Sequence, residues 1–184
     1  MEEGEAFSRA AAARLPPVPR MDKDRPFRYY LRVRYIECDA QKVVFNSRYG
    51  EYVDVSVNEF LRAIGVLQAF TDGQLDFQLV KQTTEWKAPA RFDQVLELSI
   101  SATRLGNTSF TLFTEFRIAG DERVDERVIA TVETVYVLVD ARTLTKLPLP
   151  DALRAALQEG AAGRTTDHAG YQPRLSPQSN ALRA

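Results

Sequence analysis

The segment SRYGEYVDVSVNEFLRAI, residues 47–64, has the spacing of an amphipathic helix. Its apolar side chains recur every three or four residues and so share one face, with Ser56 as the polar exception. Asn46 or Ser47 is suited to cap the start, and Gly65 suits the left-handed backbone at which many helices end. The pattern therefore predicts one long helix that buries a single face.

On both sides of this helix the sequence has the two-residue period of β-strands. One strand precedes it, because apolar side chains alternate with Arg and Tyr from Phe27 to Tyr35. Four strands follow, at 77–87, 95–104, 109–118 and 128–139, and a short helix spans 151–158. We expect the four strands to form a meander, with 128–139 central because it is apolar on both faces. This order predicts an α+β fold of the hot-dog architecture, a long central helix wrapped by a curved antiparallel sheet.

The two ends of the chain differ from this middle. Residues 1–25 contain three prolines and little apolar periodicity, which favours a disordered or extended tail. Their arginines leave a mitochondrial presequence as the alternative, although Glu2, Glu3 and Glu5 count against it. Residues 159–184 are rich in small and polar types and are predicted to be a second disordered tail. The folded domain is accordingly placed at residues 26–158.

Composition narrows the classes of function. The 184 residues include 24 basic and 25 acidic side chains, so net charge gives no indication of nucleic-acid binding. No apolar run is long enough to span a membrane. The single Cys38 cannot form an internal disulfide, which predicts a cytoplasmic protein. With His168 as the only histidine, neither a zinc site nor a Ser-His-Asp system is expected, and no metal is predicted.

The loop between the first strand and the helix carries the candidate chemistry. Asp39 lies seven residues before Asn46, so the loop can return its carboxylate to the helix start. The first turn of a helix presents N–H groups and a partial positive charge that can hold an oxyanion. A carboxylate facing such a site could attack a thioester carbonyl or activate water. The alternative is that Asp39 only forms an Asx-turn.

The run from Tyr35 to Tyr49 resembles the signature of the 4-hydroxybenzoyl-CoA thioesterase family of hot-dog proteins, in its acyl-CoA thioesterase branch. The likeness continues at Trp86–Asp93 and Leu105–Phe110, and it covers about residues 28–157. It implies that Asp39 is the catalytic aspartate and that the backbone N–H of Asn46 polarises the thioester oxygen. It also implies that substrate contacts the apolar stretch Val43, Val44 and Phe45, and Tyr49 at the end of the signature.

Several neighbouring residues allow two interpretations. Many family members have Gly at the position of Lys42, so this loop either differs in conformation or brings a charge near CoA. Arg91 and Arg104 could bind CoA phosphates or be ordinary surface arginines. Glu37 is expected at a solvated rim, with close approach to Asp39 as the alternative. Cys38 is expected as a small buried filler, with a nucleophile as the alternative. Glu59 is expected in a surface or interface salt bridge, with a second catalytic base as the alternative.

These observations predict an acyl-CoA thioesterase that converts a thioester and water into a carboxylic acid and free CoA, without a cofactor. The same site would serve an acyl group carried on a carrier protein. The alternative is a non-catalytic acyl-CoA-binding or regulatory module. An open sheet edge after the last strand predicts a homodimer or homotetramer.

Overall fold

The computed structural model describes residues 26–73, 75–120 and 128–171; the predicted tail at 1–25 and residues 172–184 lie outside these ranges. The strands are β1 Phe27–Arg32, β2 Asp76–Trp86, β3 Val95–Leu105, β4 Ser109–Ile118, β5 Val128–Val139 and β6 Thr165–Asp167. The helices are α1 Arg48–Ala63, α2 Leu67–Thr71 and α3 Asp151–Glu159, with a 3₁₀ turn at Tyr35–Glu37. No helix within the described ranges is both long enough and apolar enough to cross a membrane.

The six strands form one mixed sheet in the order β2-β5-β4-β3-β1-β6. Strands β3, β4 and β5 make the predicted meander, and β5 is an inner strand as expected. The position predicted for β2 is wrong, because it pairs with β5 at the far edge and not with β3. The connection from β2 to β3 is not a tight turn: Ala90 and Arg91 pair with the loop before α1.

Helix α1 buries one face in the core, as its spacing predicts. Val53 and Leu61 are fully buried, and Phe60 contacts Phe27 of β1. Ser56 is also buried, and its hydroxyl donates to the carbonyl of Val53 at 2.9 Å, which gives the buried hydroxyl a hydrogen-bond partner. Helix α1 and the sheet therefore share one core, in an α+β hot-dog arrangement.

The prediction of a disordered tail from residue 159 is wrong for residues 159–171. Strand β6 pairs in parallel with β1, and the N–H of His168 donates to the carbonyl of Tyr30 at 3.0 Å. The ring of Tyr171 stacks on that of Tyr30, with centroids 5.0 Å apart. A segment of low apolar content is ordered here because the unpaired edge of β1 offers it backbone partners.

Candidate active site

Strand β1 is shorter than the alternation from Phe27 to Tyr35 predicts, so the loop before α1 begins earlier. Strand β1 ends at Arg32, and the chain turns through the 3₁₀ segment Tyr35–Glu37. The reason is that Val33 already bonds outside the sheet ladder: its N–H donates to the carbonyl of Gln94, and its own carbonyl accepts from Asp93. The turn directs the following residues towards the start of α1.

Asp39 and Val43 close a tight turn. The N–H of Asp39 donates to the carbonyl of Val43, and the N–H of Lys42 donates to the carbonyl of Asp39, both at 2.9 Å. The turn is fixed to the β2–β3 connection, because the N–H of Val44 donates to the carbonyl of Ala90 at 2.9 Å. Its shape is thus determined by backbone bonds on both sides.

Lys42 has the left-handed backbone conformation, with φ +62°. This is the conformation that a glycine would adopt most easily, and for a residue with a side chain it costs roughly 1–2 kcal/mol. The Lys in place of Gly therefore leaves the turn in its left-handed form. It adds backbone strain and an exposed charge.

The Asp39 carboxylate has two different oxygens. Oδ1 accepts hydrogen bonds from the N–H groups of Gln41, at 2.8 Å, and of Val43, at 3.4 Å. The Asx-turn that formed the structural alternative is thus present. Among the described residues, no donor bonds Oδ2. The turn therefore fixes the carboxylate through one of its two oxygens.

The start of α1 lacks the predicted side-chain cap: neither Asn46 nor Ser47 bonds the first turn through its side chain. The N–H of Arg48 donates to the carbonyl of Phe45, and that of Tyr49 to the carbonyl of Asn46. Within the described ranges the N–H of Asn46 itself donates to no acceptor. An N–H without a partner at a helix start is a possible oxyanion donor.

These groups line one cavity of about 440 Å³. Six of the predicted site residues are part of its wall: Asp39, Val43, Val44, Phe45, Asn46 and Tyr49. Arg91 lies beside it, since its backbone pairs with that of Val43. Arg104 is not brought to this cavity; it lines a separate cavity of about 330 Å³ with Arg154 and Gln158.

The sequence analysis did not assign Gln41, Trp86, Ala88 and Pro89 to the site, although they complete the cavity wall. The ring of Trp86 meets that of Tyr49 edge to face, with centroids 6.2 Å apart. The signal was available, because residues 86–89 belong to a segment that carried the family resemblance. The pairing of residues 43 and 44 with residues 91 and 90, which the sequence does not reveal, brings this segment to the Asp39 loop.

The rim position predicted for Glu37 is wrong, since only 2% of this residue is exposed. Its carboxylate accepts from the backbone N–H of Arg34 at 2.6 Å, from Nε of Arg34 at 2.8 Å and from the hydroxyl of Tyr52 at 2.8 Å. Burial alone raises the pKa of Glu37, but these hydrogen bonds and the Arg34 charge outweigh it and lower the pKa below its ordinary value. Its carbonyl also accepts from Phe45, so Glu37 connects the 3₁₀ turn to α1.

The structure also tests the predictions for Glu59 and Cys38. Glu59 forms an ion pair with Arg62 on α1, as expected. Cys38 is half-buried, not fully buried as predicted, and its Sγ donates to the carbonyl of Arg34 at 3.9 Å. Among the described residues, no group of three His, Cys, Asp or Glu side chains could hold a metal ion.

A carboxylate held in a turn, an unpartnered N–H at a helix start and a cavity lined by both residues thus lie together in an α+β hot-dog fold. The chain belongs to the thioesterase-like superfamily, whose family model matches residues 33–157. This confirms the resemblance found in the sequence.

Individual relatives agree with this membership. The acyl-CoA thioester hydrolase YbgC of Escherichia coli is 31% identical over 134 residues, which cover 72% of this chain and 96% of that protein. The structure of the gentisyl-coenzyme A thioesterase BH1999 superposes with a TM-score of 0.60 at 27% identity, covering 71% of this chain and 98% of that one. A hypothetical protein from Aquifex aeolicus gives a TM-score of 0.65 at 26% identity, with coverage of 72% and 100%.

Proposed function

We propose that this protein hydrolyses acyl-CoA thioesters to a carboxylic acid and free CoA, with Asp39 as the reacting carboxylate. One observation carries the proposal: Asp39, whose Oδ2 has no hydrogen-bond donor, and Asn46, whose N–H has no acceptor among the described residues, line the same cavity at the start of α1. The names of relatives that act on CoA thioesters support the substrate class.

The proposed chemistry needs two groups that act on opposite sides of one carbonyl. The N–H of Asn46 and the positive end of the α1 dipole stabilise the negative charge that develops on the thioester oxygen. Asp39 then follows one of two routes. As a general base it takes a proton from water, the resulting hydroxide adds to the carbonyl carbon, and the thiolate of CoA leaves and is protonated.

As a nucleophile, Asp39 attacks the carbonyl carbon itself and expels the thiolate, which gives a mixed anhydride. Water then adds to the anhydride and releases the carboxylic acid and the original Asp39 carboxylate. Both routes consume one thioester and one water, and neither requires a cofactor. The turn that holds Oδ1 orients the carboxylate in either case.

The remaining wall provides the apolar surface for substrate. We assign Val43, Val44, Phe45 and Tyr49 to the acyl and pantetheine channel, and Trp86 extends the same surface. Arg91, exposed and next to Val43, is proposed to contact the CoA phosphates. The sequence analysis offered contact with the CoA phosphates for Arg104 as well. Within one chain the geometry does not support that role, because Arg104 lines a different cavity.

The assembly proposed from the sequence is a homodimer or homotetramer in the cytoplasm. Strand β2 supports it, because it is an edge strand with exposed Leu79, Val80 and Trp86. We also propose that the sheet wraps α1 as in other hot-dog proteins, which agrees with the burial of Val53 and Leu61. Sedimentation that shows a stable monomer at micromolar concentration would contradict the assembly.

The decisive experiment measures hydrolysis of a panel of aliphatic and aromatic acyl-CoA thioesters by release of free thiol. Binding of the same compounds is measured by calorimetry. The proposal predicts turnover of at least one member and stoichiometric release of CoA. Binding without turnover across the panel would favour the alternative, a non-catalytic acyl-CoA-binding or regulatory module.

A further inference from the structure

The segment that fixes the Asp39 turn ends in a bend with an unusual backbone. Asp93 has the left-handed conformation, with φ +66°. It is the third residue of a four-residue turn, because the N–H of Gln94 donates to the carbonyl of Arg91 at 3.2 Å. Glycine or asparagine is usual where a turn needs positive φ, since a Cβ makes this conformation unfavourable. The bend therefore depends on contacts that hold Asp93 in place.

Arg32 supplies such contacts. Its Nη1 donates to the carbonyl of Asp93 at 3.0 Å and to Oδ1 of Asp93 at 3.3 Å. Its Nη2 donates to the carbonyl of Ala169, just after β6, at 3.4 Å. Arg32 is itself held by its backbone, which pairs with Val95 at the end of β1. One side chain thus ties the bend to β1 and to the chain that leaves β6.

The bend is continuous with the wall of the active site. The N–H of Arg91 donates to Oε1 of Gln94 at 2.7 Å, so two hydrogen bonds join the ends of the four-residue turn. The backbone of Arg91 pairs with that of Val43, whose carbonyl accepts from the N–H of Asp39. A change in the bend at Asp93 would therefore reach the Asp39 turn through direct backbone contacts.

We propose that Arg32 is a positioning residue for Asp39. It stabilises the left-handed bend at Asp93 and so sets the place of the Asp39 carboxylate relative to the N–H of Asn46. This inference rests on the proposed thioester hydrolysis, in which these two groups act on one carbonyl. A displacement of about 1 Å between reacting groups can lower a rate by roughly a hundredfold. A side chain outside the cavity wall can therefore control turnover.

The alternative is an ordinary surface ion pair between Arg32 and Asp93, whose side chains are 44% and 66% exposed. Exposed pairs of this kind contribute little to stability. Two observations favour the positioning role. The guanidinium also bonds two backbone carbonyls, and one of these belongs to the residue with the left-handed backbone. A simple ion pair needs neither contact.

The test uses substitutions at both ends of this contact. Arg32→Ala removes the hydrogen bonds, whereas Asp93→Gly lets the bend form without them, because glycine adopts positive φ readily. Asp93→Ala removes the same carboxylate as Asp93→Gly but keeps the cost of the left-handed backbone. Arg62→Ala is the matched control, because Arg62 is an exposed arginine that also forms an ion pair, with Glu59 on α1.

Two quantities are measured in every variant. Steady-state kinetics on the best acyl-CoA substrate gives kcat and KM. Hydrogen exchange followed by NMR gives the protection of the Asp39 and Val44 amides, which donate to the carbonyls of Val43 and Ala90. The exchange rates do not depend on catalysis, so they test the positioning even if no thioester is hydrolysed.

We expect Arg32→Ala to lower kcat about tenfold with KM changed less than twofold, and to speed exchange of both amides at least fivefold. Asp93→Ala should act in the same way. In the Asp93→Gly background, Arg32→Ala should lower kcat less than twofold, because the bend no longer needs the guanidinium. Arg62→Ala should change neither quantity. Tm of Arg32→Ala should fall by less than about 3 °C, which separates the effect from unfolding.

Three results would overturn the inference. Arg32→Ala could leave kcat and amide exchange unchanged, which would make the contact an ordinary ion pair. Its effect on kcat could be equal in the parent and in the Asp93→Gly background, which would exclude the bend as the route. KM could rise at constant kcat, which would make Arg32 a substrate contact. Faster amide exchange in Arg32→Ala of a protein that hydrolyses no thioester would support the positioning and contradict the proposed function.

Discussion

Glu37 and Asp39 are separated by one residue and occupy opposite environments. Glu37 is buried, and both of its carboxylate oxygens accept hydrogen bonds from Arg34 and Tyr52. Asp39 is half-buried, holds a turn with Oδ1 and leaves Oδ2 without a donor among the described residues. A carboxylate whose bonds are all used can only hold structure, whereas one with an unused oxygen can also react.

Substitutions of Glu37 and Asp39 should therefore affect different properties of the protein. Glu37 joins three pieces of backbone, so its loss should appear in stability. Asp39 contributes to one local turn that an amide can also make, so loss of its charge should appear in activity. Substitutions at and around the two positions test this division.

The largest effect is expected from Asp39→Asn. The amide keeps the volume and can still accept from the N–H of Gln41, but it cannot attack or take a proton. We expect kcat to fall by roughly two to four orders of magnitude while KM changes little. Steady-state kinetics on the best acyl-CoA substrate, with binding by calorimetry, provides the measurement.

Asp140→Asn is the matched control for this change. Oδ1 of Asp140 also accepts from the N–H groups two and three residues ahead, at 2.9 and 2.8 Å, in a turn that the cavity does not include. It should leave kcat unchanged. Near-parental hydrolysis by Asp39→Asn would refute the catalytic assignment and leave only the Asx-turn.

The second effect is a loss of stability in Glu37→Gln. The neutral amide loses charge-assisted hydrogen bonds and places an NH₂ group against donors, which should cost about 2 kcal/mol. Tm should fall by roughly 4–8 °C in differential scanning calorimetry, with kcat reduced less than tenfold. Glu51→Gln, which removes an exposed pair with Arg48, should cost less than about 1 kcal/mol. A fall in kcat comparable to that of Asp39→Asn would remove the distinction between the two carboxylates.

The pH dependence of stability gives the third prediction. The folded pKa of Glu37 lies below its ordinary value of 4.5, so the unfolded chain binds the proton more readily. The stabilisation is therefore complete above about pH 4.5 and is lost as the pH falls through the folded pKa. The difference in unfolding free energy between parent and Glu37→Gln should be constant from pH 6 to 7 and shrink below pH 4.5 in urea titrations. A difference that grows on acidification would have the wrong sign.

A smaller gain is expected from Lys42→Gly. Glycine removes the strain of the left-handed backbone but adds freedom to the unfolded chain, so the net stabilisation should be about 0.5–1 kcal/mol. Lys42→Ala removes the charge and keeps the strain, so it should not stabilise. Urea denaturation of both variants separates the two contributions. Equal stability of the Gly and Ala variants would mean that φ at this position carries no cost.

The smallest effect is expected from Arg104→Ala. Because Arg104 lines a cavity with Arg154 and Gln158 and not with Asp39, KM for acyl-CoA should change less than twofold. Arg91→Ala, beside Val43, should raise KM several-fold. A tenfold rise for Arg104→Ala would favour the first of the two interpretations in the sequence analysis, CoA binding, through the cavity of another subunit.

The sequence by itself determined the elements whose pattern is local. The bounds of α1 and of β3, β4 and β5 follow from periods of 3.6 and 2 residues, and they agree with the structure to within one residue at each end. Six of the ten residues that line the Asp39 cavity were predicted, because those six lie in one continuous loop and the helix start after it. A short segment needs few distant contacts to define its shape.

Only the tertiary structure decided where distant segments meet. Strand β2 joins β5 some fifty residues further along the chain, and β6 joins β1 although its own sequence has little apolar content. Glu37 is buried because Tyr52 and Arg34 supply donors for its carboxylate, and Arg104 is separated from Asp39 because β3 carries it to the other end of the sheet. Alternation assigns a side chain to one face of its strand or helix. The partner that satisfies a polar group comes from elsewhere in the fold, and burial of such a group is favourable only once that partner is in place.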